Sequence, residues 1–292
     1  MIAHPDQLRA LSAVVEHGTF DAAAAALHLT PSAISQRIRA LEQQVGKVLL
    51  LRSKPAVATE PGRAVLRLAR QVALLEQETA VELGLEDPRG ARIPLVVNAD
   101  SLATWVLPAL ATVPGVSFEI LVDDQDHTTA WLREGVAMAA ITSDTSPVPG
   151  CRVTPLGVMR YRAMASPGFR DRWFPDGLDA DSLSRAPMLN FNRKDSLQDR
   201  YLRRHDSQAT LDPPCTHVPS SSEFVKAAEL GLGWAMLPDI QTEEGLAAGR
   251  LVVLDDDGAV EVSLHWQQWA VGSSALDAVA SALREAAGRV LR

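Results

Sequence analysis

Ser32, Ser35, Gln36, Arg39 and Gln43 fall on one side of the stretch PSAISQRIRALEQQVG, opposite Ile34, Ile38, Leu41 and Val45. The apolar set repeats at steps of four, three and four, which defines one buried helix face. The polar side holds short hydroxyls, carboxamides and arginine, with no acid before Glu42. Hydroxyls and carboxamides pair with base edges in a DNA major groove, and arginine pairs with guanine or phosphate. On this reading Gln36 and Ser35 face bases. Thr30 at the helix start, Ser32, Arg37 and Arg39 lie closer to phosphates, as do Arg52 and Lys54 further along the chain. A solvated helix face has the same composition, so the neighbouring elements decide.

Those elements are short and well punctuated. Residues 5–17 place Leu8, Leu11, Val14 and Val15 at helical spacing, and Gly18 stops the run. Thr19 caps a second helix, with Asp21 in its first turn and five alanines before Leu27. Small side chains let a neighbouring helix approach closely. His28-Leu29 makes a turn, and Thr30-Pro31 opens the third helix with a cap and a proline at the first helical position. After Gly46, two apolar runs around Ser53-Lys54-Pro55 read as a β-hairpin wing with Arg52 and Lys54 near its tip. Thr59-Glu60-Pro61-Gly62 reads as a turn and cap. From Arg63 to about Leu85, Val65, Leu68, Val72 and Leu75 recur near 3.5-residue spacing. A helix this long exceeds what a small head can cover and predicts pairing with a second copy through those four side chains. Two copies fit a palindromic DNA site.

The stretch FDAAAAALHLTPSAISQRIRALEQQVGKVLLLR, continued by ATEPGRAVL, resembles the DNA-binding segment of LysR-type transcriptional regulators. The motifs are the alanine-rich second helix, the Ser/Gln/Arg recognition helix, its Leu-Glu-Xaa-Xaa-Xaa-Gly end, and the Thr-Xaa-Xaa-Gly after the wing. The resemblance implies a homodimer through the linker helix, often a dimer of dimers.

Charge supports a nucleic-acid head. The net charge is −8, yet residues 1–75 hold nine Lys/Arg and five Asp/Glu, a net +4, whereas the rest holds nineteen and thirty-one, a net −12. A basic head on an acidic body fits a local DNA footprint better than a uniformly acidic enzyme does. The 292 residues predict about two domains. No apolar run approaches the roughly 18 residues of a membrane span, and the N-terminus lacks a secretory pattern. The expectation is a cytoplasmic protein without membrane contact. Cys151 and Cys215 read as free thiols, and no Cys/His cluster suggests zinc.

Beyond Asp87-Pro88-Arg89-Gly90, elements alternate. Residues 93–98, 116–122 and 136–143 read as strands, with helices over 102–111 and 128–134 between them. Such alternation predicts a parallel sheet with crossovers. A second set follows: strands at 160–166, 186–192 and 233–238, helices around 196–205 and 223–230, then a strand at 260–271 and a helix from about Ser274. Two α/β lobes put strand ends and helix starts around a cleft, where small polar ligands bind. Ser101 and Thr104 sit at a helix start and could hold a carboxylate, with Asp100 beside them. Asp123 and Asp124 follow the second strand, and Ser221, Ser222 and Glu223 open a second-lobe helix. Several carboxylates and one carboxylate-binding helix end suit an α-amino acid with a cationic side chain. Ser-Ser-Ser-Glu is also an ordinary helix cap, and an aspartate run is usually a solvated turn.

The LysR-type resemblance implies a sensor shaped like periplasmic binding proteins, with crossings between lobes near residues 161 and 265. NADSLATWVLPAL, with FEILVDDQD and SSSEFV, resembles the ArgP/LysG branch of that family, also described as inhibitors of replication initiation. This resemblance implies a response to lysine or arginine and activation of basic-amino-acid export. It covers nearly the whole chain, but residues 168–215 only in outline.

No P-loop, GxGxxG, GxSxG or HExxH is present, and the seven histidines form no ligand-spaced pair. No catalytic residue, metal or cofactor is assigned. The sequence predicts an α/β protein in three parts: a winged helix-turn-helix (1–62), a linker helix (63–87) and an effector-binding domain (88–292). The last divides into lobe 1 (88–160 and 265–292) and lobe 2 (161–264). The predicted function is ligand-controlled transcription regulation on double-stranded DNA, with a contact to RNA polymerase. The competing reading is a nucleoid or replication-origin-binding protein without a ligand-driven switch.

Overall fold

The computed structural model describes residues 3–85, 91–123, 128–206 and 211–292. Asp124 and the break at residues 87–90 lie outside the described residues.

Three helices, α1 (Pro5–His17), α2 (Phe20–Ala26) and α3 (Pro31–Val45), form the head. Each starts at a side-chain cap: His4 accepts from Asp6 N, Thr19 from Ala22 N and Thr30 from Ala33 N. Gly18 and Gly46 close α1 and α3 in the left-handed region, at φ 72° and 71°. A two-residue hairpin, β1 (Leu50–Leu51) with β2 (Val57–Ala58), makes the wing. Ala56 N donates to Gly18 O at 2.7 Å, and Leu49 N donates to the Glu42 carboxylate at 2.8 Å, so the wing is tied to the end of α1 and to α3.

Helix α4 (Glu60–Glu82) begins three residues before the expected Arg63. Thr59 caps it by accepting from Gly62 N, and Glu60-Pro61-Gly62 is its first turn rather than a separate one. Gly62 is packed so tightly that a Cβ would come 1.9 Å from Leu49 O. Leu8, Leu11, Val14, Ile34, Ile38, Leu41, Leu49, Val65 and Leu66 form the head's core. Val65 therefore does not face a second copy, and Val72 packs against the same core from its edge. Leu68, Leu75, Leu83 and Leu85 are the exposed leucines of this segment. Helical spacing identified the apolar positions but not which body each one meets.

The second domain follows in the order β3 (Ala91–Val97), α5 (Ala99–Ser101), a π-helical turn (Leu102–Val106), α6 (Leu107–Leu110), β4 (Val116–Val122), α7 (Thr129–Arg133), β5 (Ala139–Thr142) and β6 (Cys151–Ala165). Then come α8 (Pro167–Trp173), α9 (Ala180–Arg185), β7 (Met188–Asn190), α10 (Leu197–His205), β8 (Cys215–His217), α11 (Ser221–Glu229), β9 (Ala235–Pro238), α12 (Asp239–Ala247), β10 (Val252–Val253), β11 (Val260–Trp269) and α13 (Ser274–Val290).

Seven strands form one sheet in the order β10-β6-β11-β5-β3-β4, with β9 also on β6. β3 runs parallel to β4 and β5, but β11 runs antiparallel to β5 and β6. The sheet is thus mixed where the alternation predicted a parallel one. β6 has 15 residues, and its first nine were not expected as strand. Pro155 and Gly157 interrupt their alternation, and the ladder carries a bulge at Leu264/His265 beside Gly157. One end of β6 thus joins β3–β5 through β11, and its other end joins β9 and β10 directly. Trp234, Trp266 and Trp269 are fully buried around this junction.

Candidate DNA-reading face and ligand cleft

The exposed side of α3 displays Ser32, Gln36 and Arg39, with Ser35 half-buried beside them. Thr30 is occupied as the helix cap and lies 2.9 Å from Ser32 Oγ. Arg37 turns back to Asp6 of α1 at 3.1 Å, so its guanidinium also braces the head. Arg52 lies over the Phe20 ring, 5.5 Å from its centroid, which holds it beside the start of α2. Lys54 is exposed at the wing tip. Helix α3 and the wing therefore present neutral hydrogen-bonding groups flanked by cations. Such a surface can read base edges and hold phosphates.

In the second domain a small cavity lies between the strand ends. Asn98, Ala99, Asp100 and Asp123 line one side, and Phe191, Asp195, Leu197, Phe224, Met236 and Pro238 line the other. Its volume is about 40 Å³, far below the roughly 300 Å³ at the low end of ligand pockets. An amino acid would enter only as the two sides part.

Each carboxylate is held by several groups. Asp100 accepts from Tyr161 Oη at 2.9 Å and from Ser221 Oγ at 2.8 Å, and so joins the two sides of the cleft. Asp123 accepts from Trp131 Nε1 at 2.9 Å and pairs with Lys194 Nζ at 3.3 Å. Asp195 accepts from the backbone N–H groups of Phe191 (3.1 Å) and Leu197 (3.0 Å). Burial raises the Asp195 carboxyl above the usual carboxylate range. The two backbone N–H groups offset part of that shift, and the nearby Asp100 charge adds to it. Asn98 is 2% exposed, and among the described residues neither its Nδ2 nor its Oδ1 has a partner. A buried amide with both ends open at a cavity wall is a ready receptor for a polar ligand.

The sequence reading and this geometry overlap only partly. Asp100 and Asp123 line the cavity, and Ser221 joins them through its bond to Asp100. Ser101 is fully buried with an unpartnered hydroxyl and does not line it. Thr104 donates to Asp100 O within its own helix and faces a different groove, beside Gln241. The helix starts at Ala99 rather than Leu102, which turns these two hydroxyls away from the cleft. Ser222 and Glu223 are exposed on α11. The Ser220 hydroxyl caps the Glu223 carboxylate and lowers its pKa, so Glu223 serves as a helix-start acid outside the cavity. Asn98, Asp195, Phe191 and Tyr161 were missed, although Asn98 and Phe191 directly follow strands, where clefts recruit residues.

Among the described residues, no helix is long and apolar enough to cross a membrane, and no His/Cys/Asp/Glu group could hold a metal ion. Cys151 and Cys215 are both free thiols.

Residues 5–63 match the bacterial regulatory helix-turn-helix protein, lysR family, and residues 88–288 match the LysR substrate binding domain. A lysine export transcriptional regulatory protein, LysG, of Corynebacterium efficiens is 42% identical over 294 residues and is covered, like this chain, to 99%. The crystal structure of ArgP from Mycobacterium tuberculosis aligns with a TM-score of 0.92 at 45% identity, covering 100% of this chain and 99% of that one. Full-length LysG from Corynebacterium glutamicum with bound effector Arg aligns at 0.83 with 36% identity, covering 99% of each. The chain belongs to the LysR family, and is a DNA-binding, ligand-responsive transcription regulator rather than an enzyme.

Proposed function

We propose that the cleft binds lysine or arginine and that its occupancy changes how a dimer of this chain holds a DNA site. The carrying observation is the convergence of Asp100, Asp123 and Asp195 on one cavity whose apolar wall includes Phe191, Leu197, Phe224 and Met236. Carboxylates in a closed, partly desolvated cleft attract a cationic side chain more strongly than they do at the surface. The apolar wall covers its methylenes. Asn98 offers a donor for the ligand's carboxylate and an acceptor for its ammonium. Two relatives support the choice: one carries arginine as its effector, and another is named for lysine export. On this reading the chain controls export of a basic amino acid.

The DNA half follows the same division of roles. Gln36 and Ser35 meet bases, while Ser32, Arg39, Arg52 and Lys54 meet phosphates. Two heads are joined along Leu68 and Leu75 of α4 and Leu83 at its C-cap, which replaces the expected seam that included Val65. The regulator works in the cytoplasm and contacts RNA polymerase when it activates.

Calorimetry on the full-length protein tests the ligand. Lysine and arginine bind, and Asp123→Asn weakens both about tenfold, roughly 1.4 kcal/mol, while norleucine binding changes little. If neither basic amino acid binds at millimolar concentration, the reading fails.

A further inference from the structure

Helix α7 lies between the ligand cleft and the linker helix α4, and it is bonded to both. On its cleft side, Trp131 Nε1 donates to Asp123 Oδ2 at 2.9 Å. At its C-terminal end the chain closes with Val136 N donating to Trp131 O at 2.9 Å and Gly135 at φ 69°, a left-handed helix stop. Three arginines of α4, spaced four and three residues apart, meet that stop. Arg63 pairs with Glu134 at 3.0 Å, Arg67 donates to Arg133 O at 3.2 Å, and Arg70 donates to Gly135 O. Cations at a helix C-terminus satisfy its free carbonyls and complement its dipole. The approach is close: a Cβ on Gly135 would sit 3.0–3.2 Å from Arg67 backbone and Cβ atoms. Gly135 is thus required both by its φ and by the contact.

From these contacts we infer that α7 is the relay through which the state of Asp123 reaches the DNA-reading head. The inference rests on the cleft being the ligand site. Trp131 and Lys194 share the Asp123 carboxylate, one on each oxygen. A cation arriving at Asp123 redistributes those bonds, and Trp131 carries the adjustment into a helix of one and a half turns. A helix this short moves as a body. Its far end has no slack, because three arginines and a glycine contact fix it to α4. Helix α4 in turn shares its Val65 and Leu66 with the head core.

A double-mutant cycle on the full-length protein tests this without any ligand. The probe is a duplex selected by the wild-type protein from a random pool. Asp123→Asn shifts the affinity for that duplex, and in an Arg70→Met background the shift falls at least threefold. Trp131→Phe, which keeps the ring and removes the N–H, gives the same loss. Additive effects in both cycles, with all variants folded, overturn the relay. Adding lysine and arginine separates this outcome from the ligand assignment. Wild-type protein indifferent to both amino acids, yet non-additive in the cycle, retains the relay and loses the proposed ligand. Wild-type protein that answers either one equally well with Trp131→Phe retains the ligand and loses the relay.

Discussion

The head and the cleft solve opposite problems. The head's reading groups come from about 25 consecutive residues, are held by local caps, and stand in solvent with much of their hydrogen-bonding capacity open. The cleft's groups come from segments more than 100 residues apart and are largely buried, and its carboxylates bond to protein partners already. A surface that is finished before its partner arrives loses little on binding, which favours affinity and register. On the proposed ligand assignment, a cleft whose carboxylates already have partners must exchange them for the ligand. That exchange lowers affinity, but it also makes the ligand alter the protein, as a switch requires.

The sharpest way to separate the two regions is Gly62→Ala. A methyl group 1.9 Å from Leu49 O forces α4 away from the wing, at about 3 kcal/mol for an overpacked contact against backbone. Chemical denaturation followed at the head shows the loss, DNA binding collapses, and amino-acid binding to the cleft persists. Gln36→Ala is next: about 1–3 kcal/mol on the specific site, with base preference relaxed at one position only. An unchanged affinity there would remove Gln36 from the reading face.

The cleft is probed by pH. The folded Asp195 carboxyl is raised, so it stays protonated where the unfolded residue has already ionised. Its stabilising protonation is complete below the ordinary carboxylate range and is lost as pH rises through the folded value. A cationic ligand favours the ionised form. Lysine binding therefore expels a proton within that window, and its affinity rises with pH there. Calorimetry in buffers of differing ionisation enthalpy detects the proton, and Asp195→Asn abolishes both the release and the slope. The smallest effect is Arg52→Ala, which weakens all duplexes alike and lowers the slope of log affinity against log salt by about 1. A loss confined to one sequence would make Arg52 a base reader.

The head was legible because its determinants are local. Thr19, Thr30, Gly18 and Gly46 announce helix ends by chemistry that needs no distant partner. The α4 seam was only half legible: spacing marks Val65 and Leu68 equally, but Val65 meets the head core while Leu68 is exposed. In the cleft, Asp100, Asp123 and Ser221 could be found because each directly follows a strand or opens a helix. Asp195 reaches the cavity through a turn built on Asn192, and Tyr161 reaches Asp100 from mid-strand in β6. Neither position differs in local pattern from many that point elsewhere. Thr104 failed for a local reason: a helix boundary misplaced by three residues rotates every side chain that follows.

Since β11 lies between β5 and β6, the central sheet lacks an inner strand until residue 269 has left the ribosome. The head's buried core is complete by Ala69. With N-terminal domains folding first and synthesis at about 5–20 residues per second, the interval between the two is on the order of ten seconds or more. A nascent chain therefore carries a DNA-reading surface before it carries any means of sensing.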